Sequence, residues 1–166
     1  MTGVPGAGKS TIAKILAVRL ARPVISLDAI KEARWSGVPA APDRHQVRLD
    51  AEAELVTSLE AVGGVAVVDI WVAPRRDTRR VLDLLHPWAA TATEVRCVVP
   101  ADVAVTRYSA RSRPAHHLPA DGPTLDRIRD AVGDPEPLGL GRYVQFDTSD
   151  RVNLPALEQL ARHLTS

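Results

Sequence analysis

The sequence predicts a three-layer α/β/α fold, with helices packed on both faces of a parallel sheet, and three observations carry that prediction. Short apolar runs alternate with amphipathic stretches from one end of the chain to the other. Two of those runs, "PVISLD" and "VAVVDI", close on or beside an aspartate, Asp28 and Asp69; "VAVVDI" is apolar without alternation, as in strands covered on both faces. The chain also opens with a Gly-rich loop, "GVPGAGKST", that runs directly into a helical pattern.

From Ser10 to Leu20 the residues Ile12, Ala13, Ile15, Leu16 and Leu20 recur at helical spacing with Lys14 and Arg19 between them, and Pro23 lies beyond the stop. "PVISLD" is a strand whose carboxyl end presents Asp28, "AIKEARW" adds a helical turn or two, and "SGVPAAP" is a loop. Val47, Ala51, Leu55, Leu59 and Val62 mark a long helix from Asp43 to about Val62, stopped by Gly63-Gly64. "VAVVDI" is the next strand, "RRDTRRVLDLLHPW" a helix broken at Pro87, and "EVRCVVP" a further strand. "ADVAVTRYSARSR" reads as a helix that sets Arg107 and Arg111 one turn apart on one face. After a loop with Pro114, Pro119, Gly122 and Pro123 come a short helix in "TLDRIRDAV", a linker "DPEPLGLG", a last strand "YVQFDTS" and a closing helix "LPALEQLARHL". There is no internal repeat, heptad array or low-complexity tract.

At 166 residues the chain has the size of one domain, spanning 1–166. Its 21 basic and 20 acidic side chains, net +1, give no reason to expect a nucleic acid or an acidic membrane as an obligatory partner, so nucleic acid enters only as a substrate end. The single cysteine, Cys97, sits in an apolar run and forms no internal disulfide, which suits a reducing cytoplasm. No apolar run approaches the roughly 20 residues that span a bilayer, and no basic-then-apolar leader is present at the start.

Gly3-Val4-Pro5-Gly6-Ala7-Gly8-Lys9-Ser10 fits G-x-x-x-x-G-K-[ST], and each fixed position has a mechanical task. The glycines Gly3, Gly6 and Gly8 let backbone N–H groups curl inward around phosphates, Lys9 neutralises the β and γ charges, and Ser10 offers its hydroxyl to Mg²⁺. Ala7 and Thr11 complete the set expected to meet the nucleotide. Asp28 suits a general base at a strand end beside the loop, and equally an N-cap for a helix from Ala29; Asp69 likewise suits a metal-associated acid or a cap. Adjacent His116 and His117 do not converge on one metal ion, and Trp35, Trp71 and Trp88 default to core or cleft lining.

The loop, the acid after the next strand, "VAVVD", "RYSARSR" and a late "FDTS" together resemble the P-loop kinases of small hydroxyl acceptors, a group including zeta-toxin-like, gluconate kinase-like, chloramphenicol phosphotransferase-like and polynucleotide kinase-like proteins. That resemblance covers most of the chain and implies a three-layer P-loop NTPase fold, ATP and Mg²⁺ as cofactors, and an unidentified hydroxyl-bearing substrate. It implies Asp28 as base and substrate anchor, with Lys31 standing where the polynucleotide kinase-like members carry an arginine. It implies Asp69 beside Ser10 at the metal, and Lys9, Arg107, Arg111 and Arg113 around the transferring phosphoryl group, the arginines in a lid at about 107–123. The segment at Asp147 would lie beside the adenine.

In these kinases the strand entering the loop is central, yet only Met1 and Thr2 precede Gly3. The fold is therefore expected to lack its first, central strand, with the edges of "VAVVDI" and "EVRCVVP" facing a gap. The expectation is that Met1 is not the natural beginning and that several apolar residues precede it; the alternative is a genuine short form with a distorted loop and weak nucleotide affinity. Three functions follow: an ATP-dependent phosphotransferase acting on a hydroxyl, an ATPase or nucleotide-dependent switch with water as acceptor, or an inactive ATP-binding module.

Overall fold

Strand and helix alternate through the computed structural model, which describes residues 1–36, 43–111, 119–133, 136–150 and 152–165. The order is α1 (Lys9–Leu20), β1 (Val24–Ser26), α2 (Leu27–Ser36), α3 (Arg44–Ala61), β2 (Val67–Asp69), α4 (Thr78–Leu85) with a 3₁₀ turn at His86–Trp88, β3 (Thr93–Val98), α5 (Ala101–Ser109), α6 (Gly122–Gly133), β4 (Arg142–Asp147) and α7 (Leu154–Thr165).

The helix ends have local causes. Beyond Leu20, Ala21 turns left-handed at φ 50°, and the N–H of Arg22 returns to the Ala17 carbonyl at 2.9 Å, which closes α1 before Pro23. Asp43 caps α3 by accepting from the His45 N–H at 2.9 Å, and Gly64, at φ 76°, donates its N–H to Leu59 to end it. Asp121 and Asn153 cap α6 and α7 in the same way, through the N–H groups of Thr124 and Ala156. Several expected boundaries tighten, and at one of them β1 stops at Ser26 rather than Asp28. Leu27 turns into the core at 3% exposure and the Ser26 hydroxyl accepts from Ala29 N–H at 3.4 Å, so the chain enters α2 two residues earlier than the apolar run implies.

The sheet is parallel and comes in two halves, β1 beside β2 (Val24 opposite Val67, Ser26 opposite Asp69) and β3 beside β4 (Thr93 opposite Arg142, Val98 opposite Asp147). Two residues join the halves. The Met1 ammonium donates to Val68 O at 2.6 Å and Met1 O accepts from Ile70 N–H at 3.2 Å; Thr2 donates to Val95 O and accepts from Cys97 N–H, both at 2.9 Å. Met1 and Thr2 thus occupy the central position at the carboxyl end of the sheet. On the amino side of that bridge, no strand among the described residues lies between β2 and β3, and a cavity of about 590 Å³ opens there, lined by Met1, Leu20, Val68, Val95, Leu138 and Leu164 among others.

Helices α1 and α7 cover one face of the sheet and α3 and α4 the other, which makes the three layers. Ile12, Leu16, Val95, Cys97, Phe146, Leu157 and Leu160 form one core; Ile25, Ala51, Leu55, Leu59, Val81 and Leu85 form the second. Leu16, Leu55 and Leu157 are at most 1% exposed, and truncating any of them to alanine costs about 2–5 kcal/mol. No helix among the described residues is long and apolar enough to cross a membrane.

Candidate phosphoryl-transfer site

The loop between Thr2 and α1 takes its curl from glycines at positive φ. Gly3 sits at φ 126° and Gly6 at φ 88°; a Cβ on Gly3 would fall 2.5 Å from Cys97 O, and one on Gly6 only 2.2 Å from Ala104 O. Both the conformation and the space admit only glycine. From behind, Thr148 pins the loop by donating its hydroxyl to Ala7 O at 2.8 Å, so the "FDTS" segment after β4 is built against it. Lys9, 9% exposed, curls over the loop with Nζ on Val4 O at 3.1 Å. The first-turn amides of α1 point out of the loop with the positive end of the helix dipole, a ready anion site.

Beside Lys9, Ser10 Oγ donates to Asp69 Oδ2 at 2.6 Å, and Ser26 Oγ stands 3.5 Å from the same oxygen. The β1–β2 register sets Ser26 opposite Asp69, and the hydrogen bonds of Met1 to Val68 and Ile70, on either side of Asp69, bring the loop hydroxyl to that acid across 59 residues. Asp69 is 5% exposed. A hydroxyl and a carboxylate oxygen in contact are a hard-oxygen donor pair that suits Mg²⁺, and no cluster of three His, Cys, Asp or Glu able to hold a metal occurs among the described residues.

Outside the loop opens a cleft of about 300 Å³ whose walls include Lys9, Ser10, Asp28, Lys31, Arg111 and Arg127. Asp28 lies in the first turn of α2 with its side chain 56% exposed, and Lys31 Nζ stands 3.6 Å from its Oδ1. Because Ser26 meets Ala29 N–H, the capping function falls to Ser26 and Asp28 faces the cleft.

The two arginines expected on one helical face separate. Helix α5 ends at Ser109, so Arg111 lies beyond it and reaches the cleft, whereas Arg107 turns away. Its guanidinium donates to the carbonyls of Thr148 and Ser149 at 2.7 Å each, holding the segment after β4. The arginine that joins Arg111 on the cleft wall is Arg127 of α6, which sequence reasoning missed: in "TLDRIRDAV" nothing distinguishes it from an ordinary exposed helix arginine. Arg44 and Arg48 were missed for the same reason, and buried Tyr108 on the cleft wall was not singled out either. Arg113, His116 and His117 lie outside the described residues, as does the middle of the expected lid, 112–118.

Trp35 and Trp71 line the cleft, Arg44 over the first ring at 5.6 Å and Arg76 over the second at 5.7 Å; Trp88 instead packs at the edge of the second core. The indole N–H of Trp71 is buried without an acceptor among the described residues. Behind it, burial pushes the Asp77 carboxyl up, but the hydrogen bonds and charges of Arg76 and Arg80 outweigh this and hold it below the usual carboxylate range. Arg80 also pairs with buried Glu52 of α3, which ties α4 to α3 under the cleft. Asp147 accepts from the Ser149 hydroxyl and N–H, which lower its pKa and shape the turn after β4.

The geometry agrees with what the chain is similar to. The model of the family AAA_33, described as an AAA domain, matches residues 1–135. Among solved structures, a candidate kinase from Chloroflexus aurantiacus is 26% identical with a TM-score of 0.75, covering 98% of this chain and 95% of the other. The Deinococcus radiodurans tunicamycin resistance protein is 17% identical at TM-score 0.67, covering 98% and 92%. Shikimate kinase from Acinetobacter baumannii, solved with shikimate, is 18% identical at TM-score 0.62, covering 99% and 88%. A search of curated proteins returned no significant match. With its loop, its Ser10–Asp69 pair and a family model over most of its length, the chain belongs to the AAA_33 family and has the three-layer fold of the P-loop kinases.

Proposed function

We propose that this protein is an ATP-dependent phosphotransferase that moves the γ-phosphoryl group to a hydroxyl of a small molecule or a nucleic-acid end. The observation that carries the proposal is the placement of a second-wall carboxylate, Asp28, in the same cleft as Lys9, Ser10 and Arg111. An enzyme acting on water needs no anchored acceptor wall, so Asp28 with Lys31 on the cleft favours a held hydroxyl over water.

In this reading the loop amides and Lys9 hold the triphosphate and Arg111 with Arg127 closes on the charge spread over the transferring oxygens. Ser10 and Asp69 would hold Mg²⁺, which would supply charge neutralisation at the phosphates. Asp28 takes the proton of the acceptor hydroxyl as its oxygen attacks phosphorus, and Lys31 fixes the carboxylate. Arg107 is a positioning residue: it holds the Thr148–Ser149 carbonyls, and Thr148 in turn holds Ala7 of the loop.

The test is ADP release from Mg-ATP with and without a panel of hydroxyl compounds. The expected result is turnover that requires a panel member and disappears in Lys9→Ala. Turnover indifferent to every hydroxyl compound, yet lost in Lys9→Ala, would make the protein an ATPase instead.

A further inference from the structure

The cleft has two walls of different composition. The nucleotide wall is the loop with Arg111 and Arg127. The opposite wall is α2 and the first turns of α3, and it presents Lys31, Arg44 and Arg48 against a single carboxylate, Asp28. Lys31 stands beside that carboxylate at 3.6 Å. Arg44 and Arg48 have no carboxylate within ion-pair distance among the described residues: Arg44 lies over the Trp35 ring at 5.6 Å, and Arg48 meets only the His45 ring nitrogen at 2.9 Å. Four residues apart on α3, the two arginines share a helical face, and the positive end of that helix lies under them. Elsewhere on these two helices the basic side chain facing acids is neutralised, as Arg34 is by Asp50 and Glu54. Stacking on Trp35 holds the Arg44 guanidinium in place, which lowers the entropy lost when it binds an anion.

Building on the phosphotransferase reading, we propose that the acceptor is itself an anion, a hydroxyl compound bearing a carboxylate or phosphate group that Arg44 and Arg48 hold while its hydroxyl meets Asp28. Charge on the substrate is needed because two guanidinium groups on one wall repel until a counter-charge is bound, and a forked guanidinium matches carboxylate or phosphate in a bidentate way. Amine-bearing acceptors are excluded by the same field.

A matched six-carbon series separates the sources of charge: sorbitol (neutral), gluconate (carboxylate), sorbitol 6-phosphate (phosphate) and glucamine (cation). Binding is followed by intrinsic tryptophan fluorescence with Mg-ADP present, and transfer by ADP release from Mg-ATP. The expected result is that one of the two anions binds at least roughly tenfold more tightly than sorbitol, that glucamine binds worst, and that Arg44→Gln/Arg48→Gln erases the difference while the shift in melting temperature with Mg-ATP stays. Which anion wins identifies the group recognised. Equal binding of all four, binding of none, or an anion preference that survives the double substitution overturns the proposal. Anion preference without transfer to any hydroxyl would instead sink the phosphotransferase reading and leave the anion site standing.

Discussion

At the carboxyl ends of the strands the sheet is closed, and at the amino ends it is open. On the closed side Met1 and Thr2 lace β2 to β3, and the loop, Ser10 and Asp69 stand directly above them. On the open side the two half-sheets face each other across a cavity of about 590 Å³, twice as roomy as the cleft of about 300 Å³ where the charged side chains converge. The larger space is the less informative one. Its walls are mostly apolar, and its buried acid, Glu94, already holds the Thr2 hydroxyl and the Leu138 N–H at 2.7 Å each. The smaller space is where the polar groups converge, and the loop above it is formed over the bridge that Met1 and Thr2 make.

The strongest way to break the comparison is at the closed end. Lys9→Ala and Asp28→Asn are each expected to reduce transfer about 10²–10⁴-fold with the fold intact, Lys9→Ala also removing the stabilisation by Mg-ATP. Asp28→Asn at the wild-type rate in an acceptor-dependent assay would remove Asp28 from the base role. Next in size is Gly6→Ala, which places a Cβ 2.2 Å from Ala104 O at φ 88°; a loss of at least about 2 kcal/mol is expected by chemical denaturation, with nucleotide binding lost alongside.

The open end supplies the third test. Attaching four β-branched residues ahead of Met1 should fill the slot, pair both strand edges and replace a buried ammonium by a peptide N–H. The melting temperature is expected to rise by several degrees, given roughly 2–4 °C per kcal/mol at this size. No gain would mean that the half-sheets already satisfy their edges without a strand between them. Arg107→Ala ranks below that: about 1–3 kcal/mol of stability from two charged hydrogen bonds, with an increase in KM for ATP larger than the fall in kcat. A pure kcat effect would return Arg107 to the transition state.

The smallest effect is a pH slope. Burial lowers the pKa of the Met1 amino group from 8.0, partly countered by Asp69, Cys97 and Glu94. Between that lowered value and the unfolded one, the unfolded chain binds the proton more readily than the folded chain, so stability rises with pH through this window and levels off above about 8, by no more than about 1.4 kcal/mol per pH unit. The slope should vanish in the chain extended ahead of Met1. Cys97, whose thiol is pushed up to about 11 by burial, should stay unreactive toward thiol reagents at neutral pH until the protein unfolds.

Much of this was legible in one dimension because the physics behind it is local. A Gly-rich loop followed by Lys-Ser and an apolar period of 3.6 is a contiguous signal, so the loop, α1, α3 and the alternation of strand and helix could be read directly, as could Ser10 and Asp69 as partners once the resemblance was recognised. What the sequence could not contain is direction. Arg107 and Arg111 differ by one turn of an expected helix, but that helix ends at Ser109, and the difference sends one guanidinium to the Thr148 and Ser149 carbonyls and the other to the cleft. Arg44, Arg48 and Arg127 look in sequence like any exposed arginine; only the packing of α2 against α3 and of α6 against α5 turns them toward one space. Sequence by itself determined the elements and the phosphate loop, because hydrogen bonding and burial periodicity act between neighbours. Tertiary structure alone decided which charges share a cleft, because a side chain's environment is set by elements far away along the chain.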